Sequence, residues 1–347
     1  MDISSYFKQA IEQNASDLHL AAGSIPALRI GGDLIKLNHE VIDDDDLGQA
    51  IFALIDKKTK EKFERHRELD FSQDFFGSRF RINLHYQEGK IGLTARLVPK
   101  IIPSPAELNF DDVIYKLTHL KDGLIIVTGP SGSGKSTTMA CMINIINKER
   151  RAHIITIEDP IEYLFEEEQS IIEQRELGHD THSFAEALKY ALRQDPNIIM
   201  LGEMRDVETI SAVLTAAETG HLVISTLHTS TAAETISRIV DVFPSHQQQQ
   251  ILNQLASTLR AVIAQQLLPK VGGGRVAARE IMIHNSAIAN LIRRNQMGQL
   301  YSVIQTSQKD GMTTMNKAID KLVKSHLISE DIARNSKRDL ETQASYY

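Results

Sequence analysis

Past an N-terminal region, the chain predicts an α/β fold built on a parallel sheet covered on both faces, and three observations carry that prediction. Short, unbroken apolar runs recur at residues 124–128, 154–157, 198–201 and 222–226, and a run that is apolar at every position marks a strand buried on both faces. Helical patterns with their own start and stop signals lie between the runs, the alternation that yields parallel strands joined by crossover helices. The first run leads directly into Gly129-Pro-Ser-Gly-Ser-Gly-Lys135-Ser136. This is a G-x-x-x-x-G-K-S segment standing where such a segment has meaning, after a strand and before a helix.

Length and composition set the bounds. At ~150 residues per domain, 347 residues give two domains. A chain that is 42% hydrophobic and 24% charged is ordinary globular material, neither disordered nor fibrous. Lys and Arg number 38 against 45 Asp and Glu, for a net charge of −7, and residues 111–285 are acidic as well. Nucleic acid is therefore not an expected partner. Tryptophan is absent, which leaves little material for aromatic stacking platforms. The lone Cys141 excludes an internal disulfide and a cysteine-cluster zinc site, and fits a reducing compartment. The N-terminus has no signal-peptide pattern, and no window approaches the ~18 apolar residues of a membrane span. A cytoplasmic protein with no direct membrane insertion is expected.

In the N-terminal region, a short helix is expected from Asp2, extended segments at 17–20 and 27–37, and a helical stretch after the Asp43 to Asp46 run. Those acids suit a first helical turn, where negative charge meets the helix dipole favourably. They lack the spacing and glycine of an EF-hand. Phe80, Ile82, Leu84 and Tyr86 alternate with polar residues, and Ile91, Leu93, Ala95 and Leu97 alternate again after Glu88-Gly89. A two-residue turn there pairs Phe80 with Leu97, Ile82 with Ala95, Leu84 with Leu93 and Tyr86 with Ile91, apolar with apolar throughout. The same register sets Arg81 opposite Arg96 on the other face. Facing like charges destabilise a ladder, so the pair is either solvated and matched by local acids or a clamp for phosphate. Pro99, Pro103 and Pro105 then stiffen residues 99–110, which read as a linker.

Beyond it, Ser183 with Glu186 caps a helix striped by Phe184, Leu188 and Leu192, and Asp206 opens another that stops at Gly220. Ser245 with Gln248 reads as a further cap, which makes the Gln247 to Gln250 run an exposed first turn. Residues 251–268 read as a packed helix interrupted by polar positions. From Pro269 the chain passes Gly272-Gly273-Gly274 into a hairpin ending near Ile283, and from Ala287 onward it looks helical.

The glycine-rich segment is the strongest functional signal. Its backbone N–H groups can cradle phosphates at a helix N-terminus, Lys135 reaches the β- and γ-phosphates, and Ser136 ligates Mg²⁺. Ser131, Gly132, Ser133, Gly134, Lys135, Ser136 and Thr137 are the expected nucleotide-binding residues, with ATP and Mg²⁺ as cofactors. In an open α/β sheet, ligands sit at the carboxyl ends of strands. Three further segments end strands there: Glu158-Asp159-Pro160-Ile161-Glu162, Gly202-Glu203-Met204-Arg205-Asp206 and Thr226-Leu227-His228-Thr229. Glu203 is the candidate to orient the attacking water, and His228 a candidate contact for the γ-phosphate. The position where such strands usually end in a metal-supporting Asp is Gly202, so that task falls to Glu158, Asp159 or Glu162. His221, at the start of its strand, reads equally well as structural.

Together these segments resemble the Walker A, Asp, Walker B and His boxes of the secretion-superfamily ATPases, and within that superfamily the type IV pilus retraction ATPases. The resemblance runs from Ser16-Asp17-Leu18-His19-Leu20 to Gly311-Met312-Thr313-Thr314. It implies a PAS-like N-terminal domain over 1–98, a linker over 99–110, a RecA-like ATPase core over 111–285 and a helical subdomain over 286–347. It also implies a homohexamer in which two N-terminal arginines reach the γ-phosphate, and the hairpin register places that role on Arg81 and Arg96. Glu203, Glu162 and His228 complete the implied catalytic set. Implied partners are an inner-membrane pilus platform protein and a paralogous retraction ATPase, with peripheral attachment to the inner membrane. The pilus assembly and type II secretion ATPases commonly carry a longer N-terminus and a four-cysteine insertion, neither of which appears here. One departure stands out: the family's Ala-Ile-Arg-Asn-Leu-Ile-Arg-Glu motif reads Ala287-Ile-Ala289-Asn-Leu-Ile-Arg293-Arg294 in this chain. The rival readings are a RecA-type nucleic-acid translocase, a small-molecule kinase, and a subunit that binds ATP without hydrolysing it.

Overall fold

The computed structural model describes residues 1–337, and these fall into two compact units divided between Lys100 and Ile101.

In the first unit, Asp2 starts α1 (Ile3–Glu12) by accepting the Ser4 N–H at 3.1 Å, and the helix buries Ile3, Phe7 and Ala10. Strands β1 (Asp17–Ala21), β2 (Ala27–Ile30) and β3 (Asp33–Lys36) follow. The single extended segment expected at 27–37 is thus a hairpin. Gly31 and Gly32 reverse it at φ +61° and +101°, backbone conformations that cost glycine little. Asp43 caps α2 (Asp44–Phe52) and places three acids in its first turn, as the helix-dipole argument required. The helical stretch does not continue: Asp56 caps a separate α3 (Lys57–His66).

Strands β4 (Glu68–Phe75), β5 (Ser78–Gln87) and β6 (Lys90–Leu97) complete a six-stranded sheet of order β3-β2-β1-β6-β5-β4. The β5–β6 register is the one the sequence predicts, Phe80 with Leu97 through Tyr86 with Ile91 and Arg81 opposite Arg96. Glu88 and Gly89 both take positive φ, +50° and +79°, as a type I′ turn requires. Strand β4 was not anticipated. The buried face holds Phe80, Ile82, Leu84, Leu93 and Ala95 with Phe7 and Phe63 of the helices, and the Phe7 and Phe75 rings stack with centroids 3.8 Å apart.

The second unit contains, in order, α4 (Asp112–Leu117), β7 (Gly123–Thr128), α5 (Lys135–Glu149), β8 (His153–Glu158), β9 (Ile171–Glu176), α6 (Phe184–Ala191), β10 (Ile198–Leu201), α7 (Val207–Glu218), β11 (Leu222–Leu227), α8 (Ala232–Asp241), α9 (Ser245–Thr258), β12 (Leu259–Pro269) and β13 (Arg275–Ile283). Helices α10 (Ser286–Arg293), α11 (Leu300–Thr306), α12 (Met315–Lys324) and α13 (Glu330–Ser336) follow. The sheet has seven strands in the order β13-β12-β7-β11-β10-β8-β9. All neighbours are parallel except the β12–β13 pair. Strand β7 shows why its run is apolar throughout: Leu124 and Ile126 enter one core cluster while Ile125 and Val127 enter the other.

The four strands read from apolar runs are present, and Ser183 and Asp206 cap their helices through the Glu186 and Thr209 N–H groups. Three expectations fail. Residues 251–268 are not one helix, because α9 ends at Thr258 and Leu259 begins β12, which pairs with β7 and carries the ascending arm of the hairpin. An apolar run broken by polar residues fits a central strand as well as a helix when the polar groups find buried partners, as Gln265 does. Ser245 is the first residue of α9 and not its cap, and the Gln248 side chain donates to the Phe243 carbonyl instead. Edge strand β9 was missed. In α10 the departing Ala289 is buried beside Ile288 and Ile292. The helical expectation past residue 337 lies outside the described residues.

Candidate nucleotide site

Strand β7 ends at Thr128, and the loop to α5 turns on glycines. A Cβ on Gly129 would overlap the Gln265 carbonyl oxygen, and Gly134 stands at φ +85° as the N-cap of α5. Lys135 is the first helical residue. Its side chain returns over the loop and donates to the Gly129 carbonyl at 2.9 Å and the Pro130 carbonyl at 3.2 Å. Burial lowers its pKa, and the Glu203 carboxylate opposes that shift.

The other strand ends are braced against this loop. The Thr128 hydroxyl donates to the Thr229 carbonyl at 2.7 Å, and the Thr226 hydroxyl to the Gly202 carbonyl at 2.6 Å. These bonds tie the Glu203 and His228 segments to the ends of β7 and β11. Glu203, 9% exposed, is held at both oxygens: Arg205 meets Oε1 at 2.5 Å and His228 Nε2 meets Oε2 at 3.2 Å. The structure thus brings together the expected water-orienting carboxylate and the expected phosphate-contacting histidine. It adds an arginine to which the sequence reading gave no role.

The acidic segment after β8 forms the opposite wall. Glu158 is buried and accepts the Thr156 hydroxyl at 2.6 Å and the Gln174 amide at 3.2 Å. Burial pushes its pKa up from 4.5 to about 7. Gln174, on the unanticipated β9, also donates to the Tyr163 carbonyl and accepts from the Phe165 N–H, so it pins this wall in place. Tyr163 in turn bonds Thr137 at 3.0 Å. The resulting cleft has a volume of about 260 Å³ and is lined by Ser131, Gly132, Lys135, Ser136, Glu158, Asp159, Glu162, Glu203, Arg205 and His228, with Tyr163 and Phe165. Ser133 is buried behind the loop, Gly134 is half-buried at the start of α5, and Thr137 points at Tyr163. His221 is at the other end of β11, bonded to the Ala216 carbonyl at 3.0 Å.

The donor set fits Mg²⁺. Among the described residues no group of three or more His, Cys, Asp or Glu side chains forms a ready cage. Magnesium does not need one, since it is usually held by a hydroxyl or one or two carboxylates together with substrate phosphates and water. Ser136 at the start of α5 and the exposed Asp159 and Glu162 offer such oxygens. Glu158 fits less well, because its buried carboxyl already accepts internal bonds and favours its proton.

The two arginines singled out earlier belong to the first unit. Cross-strand neighbours put Arg29, Asp17, Arg96 and Arg81 in one row across β2, β1, β6 and β5. Asp17, 6% exposed, accepts from Arg96 Nε at 2.8 Å and lies 3.9 Å from Arg29 Nε. A local acid therefore relieves the facing like charges.

A glycine-rich loop opening a helix, its lysine, and a carboxylate just past the end of β10, one strand beyond β11, define a P-loop ATPase. The profile of the type II/IV secretion system protein family matches residues 106–334, and the chain belongs to that family, on its pilus-retraction ATPase branch. It is 45% identical to the type IV pilus retraction ATPase PilT of Pseudomonas aeruginosa, over 96% of this chain and 97% of that one. It is 43% identical to a twitching motility protein of Neisseria gonorrhoeae, over 92% and 86%. A crystal structure of the pilus retraction motor PilT with bound ADP superposes with a TM-score of 0.91 at 47% identity, covering 99% of this chain and 98% of that one. The Legionella pneumophila ATPase DotB is also similar, with a TM-score of 0.84 at 29% identity, covering 95% and 93%.

Proposed function

We propose that this chain is the subunit of a homohexameric, Mg²⁺-dependent ATP motor that retracts type IV pili and so drives twitching motility. The observation that carries the proposal is the cleft where the P-loop lysine, the doubly held Glu203 and the acidic wall converge, in a chain similar over nearly its full length to a retraction motor bound to ADP. In this reading residues 1–98 form a PAS-like domain, 99–110 a linker, 111–285 a RecA-like core and 286–347 a helical subdomain.

Ser131 to Thr137 bind the nucleotide phosphates, with Lys135 on the β- and γ-phosphates. When bound, Mg²⁺ neutralises charge on the phosphates, held by Ser136 with Asp159 or Glu162 supporting it. Glu203 orients and polarises the attacking water, and Arg205 and His228 keep its carboxylate aimed while it does so. Glu162 and His228 line the γ-phosphate. Arg81 and Arg96 add positive charge as the transferred phosphoryl group develops its own. Hydrolysis then drives domain rotation that acts on an inner-membrane platform protein. The motor works in the cytoplasm, attached peripherally through that partner, and a paralogous retraction ATPase assists it. No helix among the described residues is long and apolar enough to cross a membrane, so force passes through the partner.

Deleting the gene tests this directly. Abundant surface pili with no twitching is the expected phenotype. Loss of pili would indicate an assembly motor, and unaltered pili and motility would overturn both readings.

A further inference from the structure

A chain of buried polar bonds runs from the phosphate loop to the segment by which the backbone enters the second unit. Gln265, on β12 beside the P-loop strand, is 2% exposed. Its Nε2 donates to the Ser133 carbonyl at 2.5 Å. Its Oε1 accepts from the Thr138 hydroxyl at 2.9 Å and from Arg279 Nε at 3.3 Å. Arg279, 3% exposed, is the cross-strand neighbour of Gln265 on β13. Its two terminal nitrogens donate to the Asn109 carbonyl at 3.1 Å and the Leu108 carbonyl at 3.0 Å, and its guanidinium lies 5.0 Å from the centre of the Phe110 ring.

A peptide unit is planar and trans, so the Ser133 carbonyl and the Gly134 N–H point in opposite directions. Holding the carbonyl into the core therefore aims that N–H outward, to the side where a P-loop presents its donors. The packing against β12 also restricts the loop to glycine at two positions. The β12 backbone lies so close that only glycine fits at 129, and a Cβ on Gly134 would meet Gln265 Nε2 at 3.1 Å.

We propose that Gln265 is a positioning residue for the nucleotide site and that Arg279 couples this site to residues 108–110. Gln265 sets the direction of the Ser133–Gly134 peptide. Arg279 carries the position of the loop to residues 108–110, a few residues after the division between the two units, so that nucleotide binding is felt where the chain crosses from one unit to the other. The inference rests on nucleotide binding at this loop and goes beyond it.

The test uses the full-length chain with ADP and ATP. Calorimetry gives ADP affinity, steady-state kinetics separate kcat from KM, and hydrogen exchange with mass spectrometry reads peptides covering 108–112 and 129–137. In the wild type, ADP is expected to slow exchange in both peptides. Gln265→Met, which keeps the volume and loses all three bonds, should weaken ADP binding and raise KM about tenfold with kcat within about threefold, as expected when a buried hydrogen bond is lost. Arg279→Lys keeps the charge and loses the paired carbonyl contacts. It should leave ADP affinity within about threefold of wild type and abolish the ADP response at 108–112, which a merely structural arginine would not do. Failure of the wild type to bind ADP overturns the nucleotide reading and this inference together. Wild-type binding with no response at 108–112 overturns the inference alone, without reliance on any variant. So do wild-type KM and affinity in a folded Gln265→Met.

Discussion

The phosphate loop of the second unit and the arginine row of the first both present positive charge, and they hold it differently. Lys135 is 9% exposed, and its ammonium is tied to two backbone carbonyls of the loop it serves. The Arg96 side chain is 65% exposed and is held chiefly by one buried carboxylate, Asp17. A buried cation bonded to fixed carbonyls keeps its geometry when nothing is bound. An exposed guanidinium in a surface ion pair is held by about 1 kcal/mol at most and is readily re-aimed. The cleft is therefore pre-organised, while the arginine row can adjust.

The largest expected effect lies on the pre-organised side. Glu203→Gln keeps the shape of the side chain and its bond to His228 but removes the charge proposed to polarise water. It should lower kcat by ~10³-fold or more, with nucleotide affinity within a few-fold of wild type. Near-normal hydrolysis would remove Glu203 from this role and erase the contrast with the arginine row. Next come Arg81→Ala and Arg96→Ala. If the two arginines act on the γ-phosphate, each should cost about 10²- to 10³-fold in kcat and much less in ADP affinity. A wild-type rate in either variant would leave that arginine as a solvated surface group.

This contrast was partly legible in the sequence. The P-loop and the strand-end acids were readable because their chemistry is concentrated in short contiguous segments. The Arg81–Arg96 pairing was readable because a two-residue turn fixes the register of both arms. The partner of Arg96 was not. Asp17 is distant in sequence, and nothing local indicates that β1 pairs with β6. The same holds for Gln174 and Gln265. One sits on an edge strand with weak alternation, and the other looked like a polar interruption in a helix that proved to be a strand. In each case a tertiary pairing makes the polar residue meaningful, and hydrophobic period alone does not encode that pairing. Arg205 is the exception, since it stands two residues after Glu203 and could have been read as its ion-pair partner.

A smaller effect tests how Asp17 holds the arginine row. Asp17→Asn removes the charge and leaves an acceptor for Arg96 Nε. Because Arg96 is so exposed, the loss should be no more than about fivefold in kcat, the equivalent of ~1 kcal/mol, with KM unchanged. In Asp17→Asn/Arg96→Ala the two effects should not add, since Asp17 acts through Arg96. Full additivity would mean that Asp17 contributes by some other route.

The last effect is on stability rather than turnover and concerns another buried carboxyl, Glu158. Asp17 meets arginines, whereas Glu158 accepts from the neutral donors Thr156, Gln174 and the Glu162 backbone N–H, with the Glu162 charge nearby. Desolvation dominates at Glu158 and raises its folded pKa to about 7 from 4.5. The folded state therefore binds the proton more tightly than the unfolded state. Below about pH 4.5 both states are protonated and the buried carboxyl costs nothing. As the pH rises toward 7 only the unfolded state releases its proton, and stability falls. Above about pH 7 the full penalty is present, an upper bound of roughly 3 kcal/mol. Glu158→Gln keeps an acceptor for Thr156 and Gln174 and does not ionise. Its melting temperature, measured without nucleotide and with metal chelated, should exceed wild type only slightly near pH 5 and by several degrees at pH 8. A difference that stays constant across that range would mean that Glu158 is ionised in the folded cleft throughout. It would then be available as a magnesium-supporting acid alongside Asp159 and Glu162.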